Sequence, residues 1–470
     1  MHANHRHIRA TKQGLRVHFD RGTLLLEGAA TALDGFIWDP RVAAFRAPAY
    51  QFGRLSAGLA AAGVTINGLL GRELMMRSSA SERRGGGLDG AVADSLRPYQ
   101  KLALAAWIEA ECRGMVALPT GAGKTHVGLA AVARFAGCAA ILVPTRVLMY
   151  QWEKKLREHF GGRVGLVGDG RKDNAPITII TFASAYHQMD RLGDRFPLVI
   201  VDEVHHFGSG VQAEALEMAA APARLGLSAT LPDDPTAVRR LTDLVGPLVF
   251  HQTLTDLSGT HLAPFDRIGL FVDLDAEERE AYDAAQQAFS TIYRLFRRTG
   301  GHHWAEFVAA ASGSARGREA LRGFFESRRI VSVARAKIDC VAKLLSRHVE
   351  DRCLVFTADN DAAYELSRRA LIPAITCDIG RAERQVVLEH LRQGKLRAIV
   401  SARVLNEGID LPDARVGVIV GGSLGNREHI QRIGRLLRPK PGKRAVIYET
   451  IARDTHEVGH ARKRQLALVT

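Results

Sequence analysis

The sequence lacks the features of a membrane protein, a secreted protein and a cysteine-rich metal protein. No uninterrupted apolar stretch in its 470 residues approaches the roughly 18 residues that a membrane-spanning helix needs. The opening "MHANHRHIRA" has no apolar core of the secretory kind. The five cysteines are scattered without a C-x-x-C pair, which argues against zinc, an iron–sulfur cluster and a disulfide framework. These absences predict a cytoplasmic globular protein that does not engage a membrane.

Composition and charge indicate a large globular protein with a polyanionic partner. Because 46% of its residues are hydrophobic, the chain can bury a full core, and its length predicts roughly two to four domains. Its 64 lysines and arginines exceed its 50 aspartates and glutamates, which gives a formal net charge of +14. This balance favours a polyanion as partner, and nucleic acid is the first expectation.

A glycine-rich loop, "LPTGAGKT" at residues 118–125, follows a strand-like apolar run and precedes a helix-like run. Such a loop stands where the amides of a helix N-terminus point outward, which suits an anion. Lys124 would neutralise β- and γ-phosphate oxygens, and Thr125 would place a hydroxyl on Mg²⁺. Leu118 departs from the first glycine of the strict G-x-x-x-x-G-K-[ST] pattern. The residues expected to hold ATP are Thr120, Gly121, Ala122, Gly123, Lys124 and Thr125.

A second segment, "LVIVDEVHH" at residues 198–206, places two carboxylates after four apolar residues. The apolar run predicts a strand buried on both faces, with Asp202 at its carboxyl end. Ligands of doubly wound sheets bind at that edge. Asp202 would hold Mg²⁺ through water, and Glu203 would orient and deprotonate the attacking water. Together the two segments predict hydrolysis of a nucleoside triphosphate.

Four motifs give the chain a family resemblance. They are "DEVHH", "GLSAT" at 226–230, "SARVLNEGIDLPDA" at 401–414 and "QRIGRLLRP" at 431–439. Their order resembles that of superfamily-two helicases, and the chain most resembles the xeroderma pigmentosum group B (XPB) helicases, especially their short archaeal and bacterial forms. The similarity runs from about residue 15 to about residue 460. It implies an ATP-dependent DNA helicase or translocase that uses ATP and Mg²⁺.

The resemblance extends the nucleotide site upstream of the phosphate loop. In "LRPYQ" at 96–100, Gln100 offers the donor and the acceptor that an adenine edge requires, and Arg97 would stack or pair nearby. The alternative interpretation of Gln100 is a polar residue that starts a helix. The hydroxyls of Ser228 and Thr230 are expected to hydrogen-bond to the acidic strand end.

Further residues of the site are expected in the second half of the chain. Arg435 and Arg438 lie three residues apart and share a helix face, from which their guanidinium groups would reach the γ-phosphate. Gln431 would contact the same phosphate. Asp410 would reach the ribose or the site water, and Gly408 would allow the backbone to approach ATP. ATP would thus close a cleft between two lobes, and hydrolysis would release it.

Positions at which related helicases touch DNA phosphates carry proline, arginine and small hydroxyl residues. These residues are Pro144, Thr145, Arg146, Thr181, Thr357 and Ser401. Short hydroxyls and main-chain amides at such positions read the shape of a strand and not its base identity. The resemblance implies DNA, either single-stranded or forked, as the nucleic acid.

Residues 253–335 break the alternation of strands and helices. Within them, apolar residues recur at spacings of 3, 4, 3 and 4 along one helical face: Tyr282, Ala285, Phe289, Ile292 and Phe296. Core packing is the preferred account of this stripe. Asp275 and Glu278 form a helix-capping pair in sequence.

The same segment is basic. Residues 294–335 contain nine arginines and three glutamates, which gives 9 − 3 = +6. Arg294, Arg297 and Arg298 are expected to contact phosphates. The segment resembles the helical thumb inserted in XPB proteins, which would grip the nucleic-acid backbone.

The overall pattern predicts an α/β fold with two RecA-like parallel-sheet lobes, a small N-terminal β-rich domain and a helical insertion. Apolar strands alternate with helical stretches from residue 95 to about 250 and again after residue 336. Hairpins are predicted at 15–27 and 36–52. The expected boundaries are 1–77 for the N-terminal domain, 78–94 for a linker, 95–252 for lobe 1, 253–335 for the insertion, 336–456 for lobe 2 and 457–470 for a basic tail.

Two features keep alternatives open. The N-terminal domain resembles the XPB damage-recognition domain, but an appendage that covers a sheet edge fits its β-rich sequence equally well. XPB proteins usually carry an Arg-Glu-Asp element after the Ser-Ala-Thr motif, whereas this chain reads "LPDDP" at 231–235. Asp233 and Asp234 keep the acidity, but the arginine is missing and two prolines stiffen the loop. Strand separation is therefore less expected than translocation.

The resemblance implies 3′ to 5′ movement, a role in nucleotide excision repair and a structure-specific nuclease as partner. One alternative is a DNA-stimulated ATPase that acts as a remodeller or scaffold without processive unwinding. Another is an RNA helicase, which shares the motifs. A restriction-type motor subunit is a third, although the sequence shows no nuclease constellation of its own.

Overall fold

The computed structural model describes residues 14–67, 92, 95–301, 303–402, 414–421, 433–434, 436–437, 440 and 442–466. The chain divides into two compact units, one of residues up to 252 without 120–122 and one of residues 253–470 with 120–122. Each unit contains one large sheet of mainly parallel strands. No described helix is both long and apolar enough to cross a membrane.

The first unit begins with a five-stranded sheet made from two hairpins. Its elements are β1 (Arg16–Asp20), β2 (Thr23–Glu27), β3 (Ile37–Asp39), β4 (Ala44–Pro48), α1 (Phe52–Ala61) and β5 (Thr65–Ile66). The strand order is β3-β4-β2-β1-β5, and only β5 runs parallel to its neighbour. Arg21 and Gly22 have φ angles of 44° and 85°, the left-handed backbone that a two-residue hairpin turn needs. Both predicted hairpins are confirmed.

The N-terminal sheet shares its apolar core with the adjoining lobe. Leu24, Phe45 and Phe52 are buried in one cluster with Ala220, which belongs to the lobe. Gly22 lies so close to the side chain of Met218 that a Cβ at this position would overlap it. The small domain is therefore fixed to the lobe by direct packing.

Lobe 1 is an eight-stranded sheet with helices on its two faces. Its strands are β6 (Arg113–Ala117), β7 (Ala139–Val143), β8 (Val164–Gly168), β9 (Arg171–Lys172), β10 (Ile177–Thr181), β11 (Leu198–Asp202), β12 (Ala223–Ser228) and β13 (Leu248–His251). Its helices are α2 (Pro98–Glu109), α3 (Lys124–Arg134), α4 (Arg146–Phe160), α5 (Phe182–Leu192), α6 (Glu214–Glu217) and α7 (Pro235–Leu244). The order is β13-β6-β12-β11-β7-β10-β8-β9. Every residue of β7, β10 and β11 is buried, as expected for parallel strands covered on both faces.

Lobe 2 contains a six-stranded parallel sheet of order β14-β19-β18-β15-β17-β16. Its strands are β14 (Phe265–Val272), β15 (Cys353–Thr357), β16 (Ala374–Ile375), β17 (Ala398–Ser401), β18 (Val416–Val420) and β19 (Ala445–Ala452). The helices of this unit are α8 (Leu254–Leu257), α9 (Ala276–Arg298), α10 (Trp304–Ser312), α11 (Ala315–Ser332), α12 (Arg335–Arg347), α13 (Asn360–Ala370), α14 (Arg381–Gln393) and α15 (His456–Leu466). With both parallel sheets and the N-terminal strands in place, the predicted fold class is confirmed.

Helices α9, α10 and α11 form a small bundle with an aromatic core. Phe289 and Phe296 of α9 pack against Phe307 of α10, which is buried, so the apolar stripe is core packing as predicted. Gly323 of α11 lies against the main-chain carbonyl of Ala285 in α9, where a side chain would not fit. The two long helices therefore approach each other closely within the bundle.

The start of α9 confirms the capping pair. Asp275 Oδ1 accepts a hydrogen bond from Glu278 N at 2.9 Å, and Glu278 Oε2 accepts one from Asp275 N at 3.1 Å. This reciprocal arrangement satisfies two amides that the helix itself cannot pair.

Two expected boundaries differ from the structure. Residues 253–335 were expected to form the insertion, but β14 lies inside that range and pairs along its whole length with β19 of lobe 2. Residues 457–470 were expected to form a basic tail, but α15 packs on lobe 2 and buries Glu457 and Arg464. The sequence alone did not indicate these partners, because β19 and Lys337 lie more than 100 residues away in the chain.

A buried ion pair holds α15 to lobe 2. Lys337 Nζ of α12 lies 2.7 Å from Glu457 Oε1 and 2.6 Å from Glu457 Oε2. Glu457 Oε2 also accepts a hydrogen bond from Ala452 N at 2.9 Å. Burial lowers the pKa of Lys337, and the Glu457 carboxylate opposes this effect. Each charge therefore depends on the other to remain ionised inside the lobe.

We expect Lys337→Met to lower the free energy of unfolding of this unit by about 3–5 kcal/mol, because the Glu457 carboxylate would stay buried without its counter-ion. Urea unfolding followed by circular dichroism measures the change. Adding Glu457→Leu to Lys337→Met should recover most of the loss. Arg392→Met, which breaks the exposed pair with Glu389, should cost less than about 1 kcal/mol. Equal losses in the two single variants would contradict the packing of α15.

Candidate active site

The glycine-rich loop connects β6 to α3. Gly121 and Gly123 have φ angles of 90° and 79°, a backbone region that other residues rarely adopt. Leu118 is fully buried and donates its N–H to Ser228 O at 2.9 Å, so it extends the strand pairing. The position that departs from the strict motif is therefore a core position, and the turn begins after it.

The loop leaves no space for a side chain at its second glycine. A Cβ on Gly123 would lie 2.6 Å from Gln100 Nε2 and 3.0 Å from His126 Nδ1. The amine of Lys124 donates to Leu118 O at 3.2 Å, so it lies against the main chain of the loop. The loop thus combines glycine backbone, a helix N-terminus and a lysine amine, a set that fits a phosphate group.

Gln100 holds the loop to the start of α2. Gln100 is buried, its Oε1 accepts a hydrogen bond from Arg97 N at 2.9 Å, and its Nε2 donates to Gly123 O at 3.4 Å. The structure thus agrees with the helix-starting interpretation of Gln100. Arg97 Nη1 donates to the hydroxyl of Tyr99 at 3.4 Å. Burial lowers the pKa of His126, and Lys155 adds to this effect, so the surroundings of the loop favour the neutral imidazole.

Two carboxylates stand at the end of β11. Asp202 is almost fully buried; its Oδ1 accepts the N–H of Glu203 at 3.1 Å and its Oδ2 accepts the indole N–H of Trp152 at 2.9 Å. Glu203 has φ 54° and ψ 51°, a left-handed conformation that is uncommon for this residue type. Glu203 Oε2 lies 3.5 Å from His205 Nδ1. Strained backbone of this kind clusters at functional sites.

Parallel register brings the loop and the carboxylates to one edge of the sheet. Asp202 pairs with Leu227, and Ser228 pairs with Ala117, so β12 lies between the strand of the loop and the strand of the acids. Neighbouring strands are separated by about 4.8 Å, which places the two strand ends roughly 10 Å apart. This spacing suits a ligand whose phosphates and metal ion span the gap.

Ser228 links the acidic segment to the next loop, but through a different residue from the one predicted. Its Oγ lies 2.9 Å from His205 Nδ1, donates to Thr230 O at 2.6 Å and accepts from Thr230 N at 3.3 Å. A serine hydroxyl has one proton, so His205 Nδ1 is the donor of their shared bond. The predicted hydrogen bond from Ser228 to the carboxylates is replaced by this bond to His205.

The residues predicted to touch DNA in lobe 1 lie along the same edge. Pro144, Thr145 and Arg146 follow β7, and Thr181 ends the adjacent β10, where it pairs with Val143. Thr145 Oγ1 caps α4, and the buried Thr181 caps α5. Arg146 is 70% exposed and pairs with Asp169 at 2.7 Å. Two helix N-termini and one exposed arginine therefore face the same side of the lobe.

The predicted DNA residues of the second unit differ in exposure. Thr357 and Ser401 are buried, and their hydroxyls donate to Asp359 O and Ile375 O, each at 3.0 Å. These hydroxyls are therefore core groups and not surface contacts. Arg294, Arg297 and Arg298 are exposed near the end of α9. The predicted residues Gly408, Asp410, Gln431, Arg435 and Arg438 lie outside the described residues.

Trp152 and His205 contact the site, although the sequence assigned no role to either. Met149, Trp152 and Leu156 are buried at spacings of three and four residues, which places them on one helix face. That pattern predicts a core tryptophan, and a buried indole N–H needs an acceptor. Which acceptor it finds is decided by the tertiary structure, because Asp202 is 50 residues away in the chain.

Three family models match successive parts of the chain. The model of the xeroderma pigmentosum group B helicase damage recognition domain matches residues 17–67. The model of the type III restriction enzyme res subunit matches residues 94–233, and the helicase conserved C-terminal domain matches residues 336–440. The matched segments include the N-terminal sheet, the phosphate loop and most of lobe 2.

Similar proteins and structures agree with these models. A Sulfurisphaera tokodaii protein named DNA 3′-5′ translocase XPB2 is 35% identical over 79% of this chain and 84% of that protein. A Mycobacterium tuberculosis protein named DNA 3′-5′ helicase XPB is 30% identical over 79% of this chain, which spans only 63% of that protein. The Hef helicase domain of Pyrococcus furiosus shares the fold, with a TM-score of 0.54 and 15% identity over 80% of this chain and 99% of that one. The chain belongs to the XPB family of superfamily-two helicases.

Proposed function

We propose that this chain is a cytoplasmic ATP-dependent DNA translocase that moves 3′ to 5′ and opens or remodels DNA during excision repair. The observation that carries the proposal is the shared sheet edge of lobe 1. The phosphate loop, the acid pair and the N-termini of α4 and α5 all stand at the carboxyl ends of adjacent parallel strands. Nucleotide and strand would thus bind to one rigid frame. The relatives named as DNA 3′-5′ translocase and helicase support DNA and this polarity.

The residues at this edge of the lobe 1 sheet would have separate roles in hydrolysis. The amides of residues 121–125 would hold phosphates, and the Lys124 amine would exchange its bond to Leu118 O for a phosphate oxygen. Thr125 and Asp202 are the residues that would hold Mg²⁺. When bound, the ion supplies positive charge that neutralises the phosphates. Glu203, beside Asp202, would take the proton of the attacking water.

The part of this edge that would bind DNA offers helix N-termini and an arginine side chain. The N-terminus of a helix carries a partial positive charge, so α4 and α5 would each favour a backbone phosphate. Exposed Arg146, which pairs with Asp169, would exchange that partner for a phosphate at the start of α4. In the second unit, the exposed Arg294, Arg297 and Arg298 would also contact phosphates. The net charge of +14 supports a polyanion as the bound partner.

The bond between His205 and Ser228 would connect these two sides. His205 follows the acids after β11, and Ser228 ends β12, which passes between the acids and the phosphate loop. A change at Glu203 would reach the loop after β12 through this bond.

A structure-specific nuclease that acts with the translocase is a further part of the proposal.

A second candidate function is translocation along duplex DNA without strand separation. Asp234 caps α7, because its carboxylate accepts the N–H groups of Thr236 at 3.0 Å and Ala237 at 3.3 Å. Pro235 fills the first helical position, where a missing N–H has no cost. One acid of "LPDDP" is thus occupied by the helix cap, and the loop has no arginine. This arrangement favours a remodelling ATPase over a processive helicase.

We expect Gly123→Ala to weaken ATP binding by at least about tenfold, since its Cβ would collide with Gln100 and distort the cradle. Fluorescent nucleotide titration measures the affinity. Gly137→Ala is the matched control: Gly137 also has a left-handed φ of 72°, but only Ile177, at 3.8 Å, would meet its Cβ. Unchanged ATP affinity in Gly123→Ala would contradict the assigned cradle.

Glu203→Gln should retain nucleotide binding but slow hydrolysis by about 10²-fold or more, because the amide cannot accept the proton of the water. Lys124→Ala should weaken nucleotide binding. Steady-state hydrolysis with and without DNA measures both, and Glu217→Gln, which neutralises an exposed carboxylate of the same lobe, should behave as the parent. A rate of ATP hydrolysis that does not change when DNA is added would refute the translocase. Equal stimulation of hydrolysis by duplex RNA and by DNA would favour an RNA helicase.

Blunt duplex DNA should stimulate hydrolysis as well as forked DNA does, if the chain moves on duplexes without separating them. Displacement of a third strand from a triplex measures this movement, and release of a labelled strand from a fork measures unwinding. We expect triplex displacement to exceed fork unwinding by about tenfold or more. Fork unwinding at the same rate would instead favour a processive helicase.

A further inference from the structure

One tryptophan lies at the junction of the phosphate-loop helix and the acidic strand. Trp152 of α4 is 1% exposed, and its Nε1 donates to Asp202 Oδ2 at 2.9 Å. Its ring also lies beside Gly128 of α3, where an added Cβ would be 2.5 Å from Trp152 Cη2. The ring thus fills the space that the glycine leaves, and it contacts elements on both halves of the proposed hydrolytic site.

The two hydrogen bonds to Asp202 determine the orientation of its carboxylate. Oδ1 accepts from Glu203 N and Oδ2 accepts from Trp152 Nε1, so rotation of the carboxylate would break at least one of the bonds. The residue is buried, and no bulk water would replace a lost donor. Groups that orient a metal-holding carboxylate from behind commonly tune its metal affinity.

The same tryptophan connects Asp202 to α4, the helix whose N-terminus is proposed to bind DNA. Trp152 belongs to α4, which begins directly after its capping residue Thr145. Trp152 lies seven positions after Thr145 in the chain, a distance of about 10 Å along the helix axis. A helix of this length moves as a rigid rod, so a displacement of its N-terminus reaches the indole.

We propose that Trp152 is a positioning residue that orients the Asp202 carboxylate for Mg²⁺ and transmits the binding of DNA at the start of α4 to the hydrolytic site. This proposal rests on the proposed roles of Asp202 and α4. Binding linkage is reciprocal, so a nucleotide with its metal ion would in turn alter the affinity of α4 for a strand. Gly128 is then required because the ring occupies the place of a side chain.

The first test compares two tryptophan variants that lose the same kind of bond. Trp152→Phe keeps an aromatic ring but removes the donor. Trp107→Phe is the matched control, since Trp107 is also fully buried in lobe 1 and donates its indole N–H to Arg224 O at 2.8 Å. Both variants should lower the melting temperature similarly. Only Trp152→Phe should raise the Mg²⁺ concentration for half-maximal hydrolysis, by about tenfold, and reduce the stimulation by single-stranded DNA.

The second test does not depend on activity. The chain has four tryptophans, so ¹⁵N-indole labelling gives four resolvable N–H signals, and the signal lost in Trp152→Phe identifies Trp152. Asp202→Asn should shift the Trp152 signal and leave that of Trp107 in place. A single-stranded oligonucleotide, added without nucleotide, should also shift the Trp152 signal.

The outcomes separate this proposal from the function on which it rests. Trp152 has only a packing role if Trp152→Phe and Trp107→Phe need the same Mg²⁺ concentration for half-maximal hydrolysis. The same conclusion follows if Asp202→Asn does not shift the indole N–H signal of Trp152. Asp202→Asn should abolish hydrolysis in either case, and hydrolysis at the parental rate would instead refute the assigned role of Asp202. If Trp152→Phe does not fold, the indole signals of the Asp202→Asn chain decide the question.

Discussion

The parallel register of β6, β12, β11, β7 and β10 is the constraint on which the site depends. Pairing of Ser228 with Ala117, of Asp202 with Leu227 and of Thr181 with Val143 aligns the carboxyl ends of these strands. A shift of one residue in any pair would turn the terminal side chain to the opposite face. Because these strands are buried on both faces, such a shift would also move closely packed side chains into sites shaped for others.

Buried polar side chains then tie neighbouring elements of this edge together. Gln100 joins α2 to the phosphate loop, His205 joins the acidic segment to Ser228, and Trp152 joins α4 to Asp202. Each bond is made in the interior, where an unpaired polar group is costly, so these contacts specify one arrangement of the loops. Nucleotide chemistry and strand binding in this family member would therefore be coupled by packing and hydrogen bonds within a single lobe.

The other parts of the molecule are integrated by similar means. The N-terminal sheet shares a core with lobe 1 through Ala220, and α15 is held to lobe 2 by the pair of Lys337 with Glu457. Neither part behaves as a loose appendage. The bundle of α9, α10 and α11 packs its aromatic residues together and leaves arginines exposed at the end of α9, where they would contact a phosphate backbone in the proposed function.

Local pattern in the sequence determined which elements form, and the tertiary structure decided which side chains meet. Neighbouring residues were enough to predict three features of the structure. These are the apolar strands β7, β10 and β11, the capping pair Asp275 and Glu278, and the glycines of the phosphate loop. The sequence did not reveal that β14 pairs with β19, that Gln100 binds Gly123, or that Trp152 binds Asp202. Strand periodicity and helix capping depend on residues a few positions apart. The acceptor of a buried indole and the neighbour of an edge strand depend instead on long-range packing, which no local pattern encodes.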